Sequence, residues 1–515
     1  MENFDYDLRS VQEVRNLARL GKIATEQLAV YTEEQIDRIL QNMVKVASEN
    51  AVLLAKMAVE ETGFGKVEDK TYKNHMASVL LYDAIKNMKT IGVISEDKTA
   101  QVIDIATPVG LLMGIVPSTN PTSTAIYKCM IAIKARNAIV FSPHPSAAKC
   151  TMKAAMLMNE AAVAAGAPAN VIGCVSMPTI DATNALMRTK EVAMIIATGG
   201  PGMVRASYSA GKPALGVGAG NCPAYIEKTA NVKKAVENIL ASKTFDYGTI
   251  CASEQSIIVE QCNREEVVAE LKKQGGYFMN PEETKKVCSL LFKPGTHDMS
   301  AKFVGRSPQV IAEAAGICIP EGVKVLIGEQ QGVGPEYPLS YEKLTSVLAF
   351  YTAKDWKEAC ELCISLLQNG IGHSMSIHTE DRDMVMKFAE KPSSRILVNT
   401  GSTQGATGAT TGLIPSFTLG CGTWGGSSVS ENVSPMHLIN IKKVAFGLKD
   451  SSTVASSDPR FNHPELAMMA PASVPAVNSC GTTASSAPTN SPDNEKLLKL
   501  INELVGAMKE GKLNG

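Results

Sequence analysis

Leu111-Leu112-Met113-Gly114-Ile115-Val116-Pro117 is an uncharged, mostly apolar run closed by a proline. Ala138-Ile139-Val140-Phe141, Val171-Ile172-Gly173-Cys174-Val175 and Val192-Ala193-Met194-Ile195-Ile196-Ala197 repeat the pattern downstream, with helical stretches at 146–165 and 181–189 between them. Runs this short and continuous read as strands buried on both faces, and their alternation with helices predicts βαβ units and a parallel sheet. The alternation resumes at Gln255-Ser256-Ile257-Ile258-Val259 and Ser346-Val347-Leu348-Ala349-Phe350-Tyr351, with helical stretches at 264–273 and 355–368. A last strand is expected at Ile439-Asn440-Ile441-Lys442-Lys443-Val444-Ala445-Phe446. Upstream, residues 1–100 space Val14, Leu17, Ala18, Ile36, Ile39, Leu40 and Met43 three to four apart, a helical pattern. Thr32-Glu33-Glu34-Gln35 fits a capping box at the start of the second run. The fold class is α/β.

Composition narrows the function. Of 515 residues, 45% are hydrophobic, and Lys+Arg 50 against Asp+Glu 51 leaves a net charge of -1. That balance argues against nucleic acid as a partner, because phosphate binding needs a basic surplus. No run approaches the ~18 apolar residues of a membrane span. The opening Met1-Glu2-Asn3-Phe4-Asp5-Tyr6-Asp7 has no apolar core, so no signal peptide and a cytoplasmic location are expected. Twelve scattered cysteines read as free thiols, with Cys360 and Cys363 buried on one helix face. No metal site is expected.

Four segments carry chemistry. Phe245-Asp246-Tyr247-Gly248-Thr249-Ile250-Cys251-Ala252-Ser253 puts a cysteine in a turn between helix and strand. It is either a nucleophile or a buried loop cysteine. A free thiol is only ~3% thiolate at pH 7, so a nucleophile there needs a base or a dipole. In Pro117-Ser118-Thr119-Asn120-Pro121-Thr122, Asn120 either aims its amide at an oxyanion or simply initiates a turn. Ala197-Thr198-Gly199-Gly200-Pro201-Gly202 follows a strand and opens a helix, where backbone N–H groups can hold a pyrophosphate, although it is not a strict G-x-G-x-x-G. Gly216-Val217-Gly218-Ala219-Gly220-Asn221-Cys222-Pro223 is so poor in side chains that something must approach its backbone closely.

In this order and spacing the four segments resemble the aldehyde dehydrogenase superfamily over roughly residues 5–447. Thr-Asn-Pro-Thr-Ser-Thr at 119–124, Ser-Pro-His-Pro at 142–145 and Leu-Gly-Cys-Gly-Thr-Trp-Gly-Gly at 419–426 are similar to its CoA-acylating branch. That branch includes the propionaldehyde and acetaldehyde dehydrogenases of bacterial microcompartments and the aldehyde half of bifunctional alcohol dehydrogenases. The iron-dependent half is not expected, since about 65 residues follow position 450. The resemblance implies an aldehyde dehydrogenase-like architecture of two Rossmann-like parallel-sheet domains and a small β oligomerisation element. An NAD-binding domain is expected at 1–100 and 114–223, a catalytic domain at 224–435 and oligomerisation strands at 101–113 and 436–447.

It also implies roles. Cys251 is the expected nucleophile, with Asn120 and the Cys251 backbone N–H on the oxyanion. His373 lies near the acyl or CoA site or is a structural histidine. Glu342 holds the nicotinamide ribose or is a solvated surface carboxylate. Ser142, His144, Thr198, Gly200, Val217 and Gly218 complete the expected cofactor-binding set. The usual Lys-Pro-Ser-Glu reads Ser142-Pro143-His144-Pro145 here, which loosens the choice of NAD over NADP and leaves His144 as an adenosine contact or a turn residue. Hydrolytic relatives carry a general-base Glu 34 residues before the nucleophile, and Val217 stands there. Valine cannot take a proton from water, whereas CoA, an acidic thiol, needs less help. The expected reaction is therefore aldehyde + CoA + NAD to acyl-CoA + NADH, with propionaldehyde ahead of acetaldehyde. The rivals are a hydrolytic semialdehyde dehydrogenase and a shell-binding scaffold without catalysis.

Residues 450–492, rich in Ser, Ala, Pro and Thr, read as a flexible, disordered linker. Leu497, Leu498, Leu500, Ile501, Leu504, Val505 and Met508 then make one apolar stripe on an amphipathic helix at 493–511. It resembles the encapsulation peptides that dock enzymes on microcompartment shell proteins, against self-packing and a membrane surface as alternatives. The mixed charges of its polar face disfavour anionic lipid. A homodimer or homotetramer is expected.

Overall fold

The computed structural model describes residues 5–293, 295–368 and 372–451. Leu111–Val116 is indeed a strand with every residue buried, and it lies at the centre of a five-stranded sheet. In chain order the strands are β1 (Gly92–Asp97), β2 (Val102–Pro108), β3 (Leu111–Val116), β4 (Ile139–Pro143), β5 (Ile172–Cys174), β6 (Val192–Thr198) and β7 (Ala214–Val217). They continue as β8 (Cys222–Ile226), β9 (Glu254–Glu260), β10 (Gly276–Met279), β11 (Val325–Glu329), β12 (Val347–Ala353), β13 (Met375–His378), β14 (Ile396–Val398) and β15 (Ile439–Ala445).

Three sheets result. The five-stranded one, in the order β5-β4-β3-β6-β7, is parallel throughout. Strand order reverses between β3 and β6, and such a switch point opens a crevice at the carboxyl ends of the strands. One helix of this layer, Pro121–Lys134, is buried at every residue. Its Lys128 ammonium donates to the carbonyls of Ile115 (2.6 Å) and Ile196 (2.9 Å), which satisfies a cation that burial otherwise disfavours. The N-terminal helices Tyr6–Leu28 and Glu33–Glu49 pack into the same core, the second opened by the expected Thr32–Gln35 capping box.

The seven-stranded sheet, in the order β10-β11-β12-β9-β8-β13-β14, is also parallel. Alternation sorts its side chains onto two faces: Ile257 and Val259 of β9 join one hydrophobic cluster and Ile258 joins the other. Helices Val232–Thr244 and Arg264–Lys273 cover the first face, and Trp356–Leu367, Pro281–Leu291 and Arg382–Ala389 the second. Cys360 and Cys363 are buried on Trp356–Leu367, and the described cysteines are all free.

The third sheet is antiparallel, β1-β2-β15, and joins positions 102–108 to 439–445. Here the expected boundaries move. Leu111–Met113, placed in the oligomerisation strands from sequence, pairs with β4 and β6 inside the five-stranded sheet. Gly92–Asp97, read as part of a helical region, is the arm's outer strand, because the chain must turn back on β2 to cover one of its edges. The seven-stranded sheet begins at Cys222 rather than 224. Apart from residues 450 and 451, the expected linker and helix at 493–511 lie outside the described residues. Among the described residues no helix is long and apolar enough to cross a membrane.

Candidate active site

A cavity of about 380 Å³ opens where the carboxyl edge of the five-stranded sheet meets the amino edge of the seven-stranded sheet. The first edge supplies the loops after β3 (Pro117 to Asn120), β4 (His144, Pro145), β5 (Pro178, Thr179) and β6 (Gly199 to Pro201). The second supplies loops that precede strands: Gly218 and Ala219 before β8, Cys251 before β9, Glu342 and Leu344 before β12. Cys251, Asn120, Ser142, His144, Thr198, Gly200, Val217, Gly218 and Glu342 all line it. His373 stands behind Cys251, fully buried, at the amino end of β13.

The side-chain-poor loop does let something approach. A Cβ on Gly220 would lie 2.1 Å from the Cys251 carbonyl oxygen and 3.2 Å from His373 Cγ. Glycine there allows the nucleophile loop and the histidine to close on one another. His373 Nε2 is 3.0 Å from Cys251 Sγ, and Nδ1 is 2.9 Å from Ser374 Oγ. Arg395, which sequence reading missed, donates to the carbonyls of His373 (2.9 Å) and Gly420 (2.9 Å) and so clamps the histidine segment to the 420 loop.

The electrostatics keep this pair neutral at rest. Burial pushes the Cys251 thiol up to about 12, with the Glu342 carboxylate adding to the rise. Burial, helped by the Arg395 charge, pushes His373 down to about 3. A thiol beside a neutral imidazole can pass its proton to Nε2 as it attacks, because thiolate and imidazolium form as a mutually stabilised pair. Glu342 accepts a hydrogen bond from Gly220 N–H (3.0 Å). Burial raises its carboxyl to about 7 against that bond and the Lys243 and Lys343 charges.

Asn120 is the N-cap of Pro121–Lys134, yet its side chain does not cap the helix. Its amide instead turns toward the cysteine loop, with Nδ2 3.1 Å from Thr119 Oγ1 and 3.3 Å from the Thr249 carbonyl. His144 lines the cavity and is a turn residue, its Nδ1 accepting from Ser146 N–H (3.2 Å) at a 3-10 turn. Ser142 Oγ is 2.8 Å from Thr183 Oγ1, and Thr198 Oγ1 is 3.0 Å from Thr418 Oγ1. Val217 is buried at the carboxyl end of β7.

The carboxyl edge suits a dinucleotide. Gly200 caps helix Pro201–Tyr208 with no side chain over its N–H groups, and no heavy atom stands within 4 Å of a Cβ placed on Gly200 or Gly202. A pyrophosphate can therefore sit on the helix N-terminus. Ile180, Pro178 and Met203 add apolar walls that sequence reading did not single out.

A thiol, a paired imidazole and a bare helix N-terminus thus meet at one cavity. Residues 6–283 match the aldehyde dehydrogenase family, and the chain belongs to it. The bifunctional aldehyde-alcohol dehydrogenase AdhE of Escherichia coli (strain K12) is 48% identical over 443 residues, 85% of this chain and 50% of that protein. The chain thus spans about half the length of such curated relatives. The crystal structure of an acetylating aldehyde dehydrogenase from Geobacillus thermoglucosidasius superposes with a TM-score of 0.85 at 54% identity, covering 87% of this chain and 99% of that one. A propionaldehyde dehydrogenase from the Clostridium phytofermentans fucose utilisation bacterial microcompartment does so with a TM-score of 0.77 at 27% identity, covering 84% and 97%.

Proposed function

We propose that this chain is a CoA-acylating aldehyde dehydrogenase, converting a short aldehyde, CoA and NAD(P) to acyl-CoA and NAD(P)H. The observation that carries the reading is Cys251 Sγ paired with His373 Nε2 at 3.0 Å, beside a position 217 that offers valine instead of a carboxylate. The acetylating neighbour at 54% identity supports it.

Cys251 Sγ attacks the aldehyde carbon as its proton passes to His373 Nε2. Asn120 Nδ2 and the Cys251 backbone N–H donate to the oxygen that becomes negative. Thr198, Gly199 and Gly200 would hold NAD(P), with Glu342 at its ribose, and the bound cofactor would accept the hydride that leaves the carbon. The acyl group remains on Cys251 as a thioester. His373 gives the proton it took from Cys251 to solvent and is then the base for an incoming CoA thiol; it returns that thiol's proton to Cys251, which leaves as the acyl group passes to CoA. Val217 leaves water without an activating carboxylate at that position, which favours thiolysis.

The test is NADH formation from acetaldehyde and from propionaldehyde, with and without free CoA. Sustained turnover only with CoA is expected for both, and the kcat/KM ratio sets the acyl length. Equal turnover without CoA overturns the acylating reading in favour of hydrolysis. No turnover under any condition favours a binding role.

Two partners belong to the same proposal. The exposed Val93, Ile441, Val444 and Phe446 on or beside the antiparallel arm support a homodimer or homotetramer, which light scattering checks. The apolar stripe at 497–508 and the microcompartment neighbour support packaging against a shell. A fluorescent protein fused to residues 450–515 should co-localise with shells, and diffuse fluorescence would count against packaging.

A further inference from the structure

We propose that Lys73 is a positioning residue that fixes which way the Asn120 amide faces. The inference rests on the oxyanion reading of Asn120. Lys73 lies on helix Val67–His75 and is 1% exposed. Its ammonium spends its three protons on three acceptors: Asn120 Oδ1 at 2.6 Å, Thr249 Oγ1 at 3.1 Å and Asp246 Oδ2.

An amide has an oxygen that accepts and a nitrogen that donates, so a cation beside one end decides its orientation. With the amide turned the other way, its NH2 would face the ammonium, donor against donor, at a buried site. Lys73 therefore holds Oδ1 on its own side and turns Nδ2 toward the Thr249 carbonyl, two residues from Cys251. The charge also polarises the amide, which makes its N–H bonds stronger donors. This accounts for an asparagine at an N-cap that does not cap: its oxygen is already taken.

The ammonium is itself held. Asp246 accepts from Lys66 N–H (2.7 Å), Lys70 Nζ (2.8 Å), Thr249 Oγ1 (2.7 Å) and Lys73 Nζ. The carboxylate reaches that position because Asp246 and Tyr247 are left-handed, at φ 49° and 50°, and because Gly65, at φ +77°, has no Cβ. A Cβ on Gly65 would fall 1.9 Å from Asp246 Oδ1. Burial lowers the Lys73 pKa to about 8 while the Asp246 charge supports it and Lys70 opposes it, so Lys73 is charged at neutral pH. One cluster thus ties the Asn120 amide to the loop carrying Cys251.

A double-mutant cycle tests the proposal, with Lys73→Met, Asn120→Ala and both together in the full chain. Asn120→Ala should lower kcat for CoA-dependent NADH formation about 10²- to 10³-fold. Lys73→Met should lower kcat about tenfold or more, with KM for aldehyde within about threefold of wild type. The double variant should match Asn120→Ala alone within about threefold, because a residue acting through Asn120 has nothing left to position. Losses that multiply in the double variant, or a wild-type kcat in Lys73→Met, overturn the proposal. An unimpaired Asn120→Ala overturns the oxyanion reading instead. Thermal melting checks the fold, and if Lys73→Met does not fold, Asp246→Asn replaces it in the cycle under the same criteria.

Discussion

The five-stranded sheet reaches the cavity through loops that follow its strands, whereas the seven-stranded sheet reaches it through loops that precede them. The difference matches what each edge has to hold. The carboxyl edge ends in helix N-termini and bare backbone N–H groups, which suit an anionic dinucleotide and need few special side chains. The amino edge presents Glu342, Cys251, Gly220 and His373 ahead of β12, β9, β8 and β13. Those four strands are neighbours in the sheet. Strands about 4.8 Å apart thus bring residues up to 153 positions distant in sequence onto one ledge. The bare helix N-terminus belongs to one edge and the thiol–imidazole pair to the other, with Asn120 turned toward the cysteine loop from the first.

That division can be broken, most severely with Cys251→Ala. It should lower CoA-dependent NADH formation about 10⁴-fold or more while NAD binding, measured by calorimetry, stays within about twofold. A large loss of NAD affinity would show that the two edges are not separable. His373→Ala should lower kcat about 100-fold and slow alkylation of Cys251 by iodoacetamide near neutral pH, again without changing NAD affinity. Since the thiol sits near 12, alkylation of wild type should climb through pH 9 without a plateau; a plateau near pH 7 would mean a preformed thiolate.

Glu342 sharpens the comparison because it stands on the chemical edge yet is assigned to the cofactor. Glu342→Gln should raise KM for NAD about tenfold. Its carboxyl is raised to about 7, so in wild type the acceptor is lost as pH falls through 7 and KM for NAD should rise there. The variant should show no such rise, and an unchanged pH profile would remove Glu342 from ribose binding. The smallest effect is expected at the opposite wall: Ile180→Ser, 79% exposed, should raise KM for NAD about threefold or less and leave kcat unchanged.

Legibility in the sequence followed the same division. β3, β4 and β6 are continuous apolar runs and announce themselves, and Thr198 and Gly200 follow directly from where β6 ends. Strands β13 and β14 have four and three residues, too short for a periodic signal. The hairpin strand Gly92–Asp97 carries charged, exposed residues because it covers an edge and fills no core. Cys251 and His373 were each singled out, but 122 residues separate them and spacing alone cannot pair them. Lys70 and Lys73 escaped notice because lysines in a helical stretch ordinarily read as a solvated face. Only the fold shows that the helix turns them inward.

The antiparallel arm also sets a timetable. β15 pairs with β2 over seven residues, Asn137 Nδ2 donates to the Leu438 carbonyl (2.8 Å), and the Tyr127 hydroxyl donates to the Val433 carbonyl (2.5 Å). The buried helix Pro121–Lys134 is thus finished by chain that a ribosome makes some 300 residues later. At roughly 5–20 residues per second, the nascent five-stranded half waits on the order of 15–60 seconds for its last partners. Until then the carbonyl partners of Tyr127 and Asn137 and the second edge of β2 are still to be made.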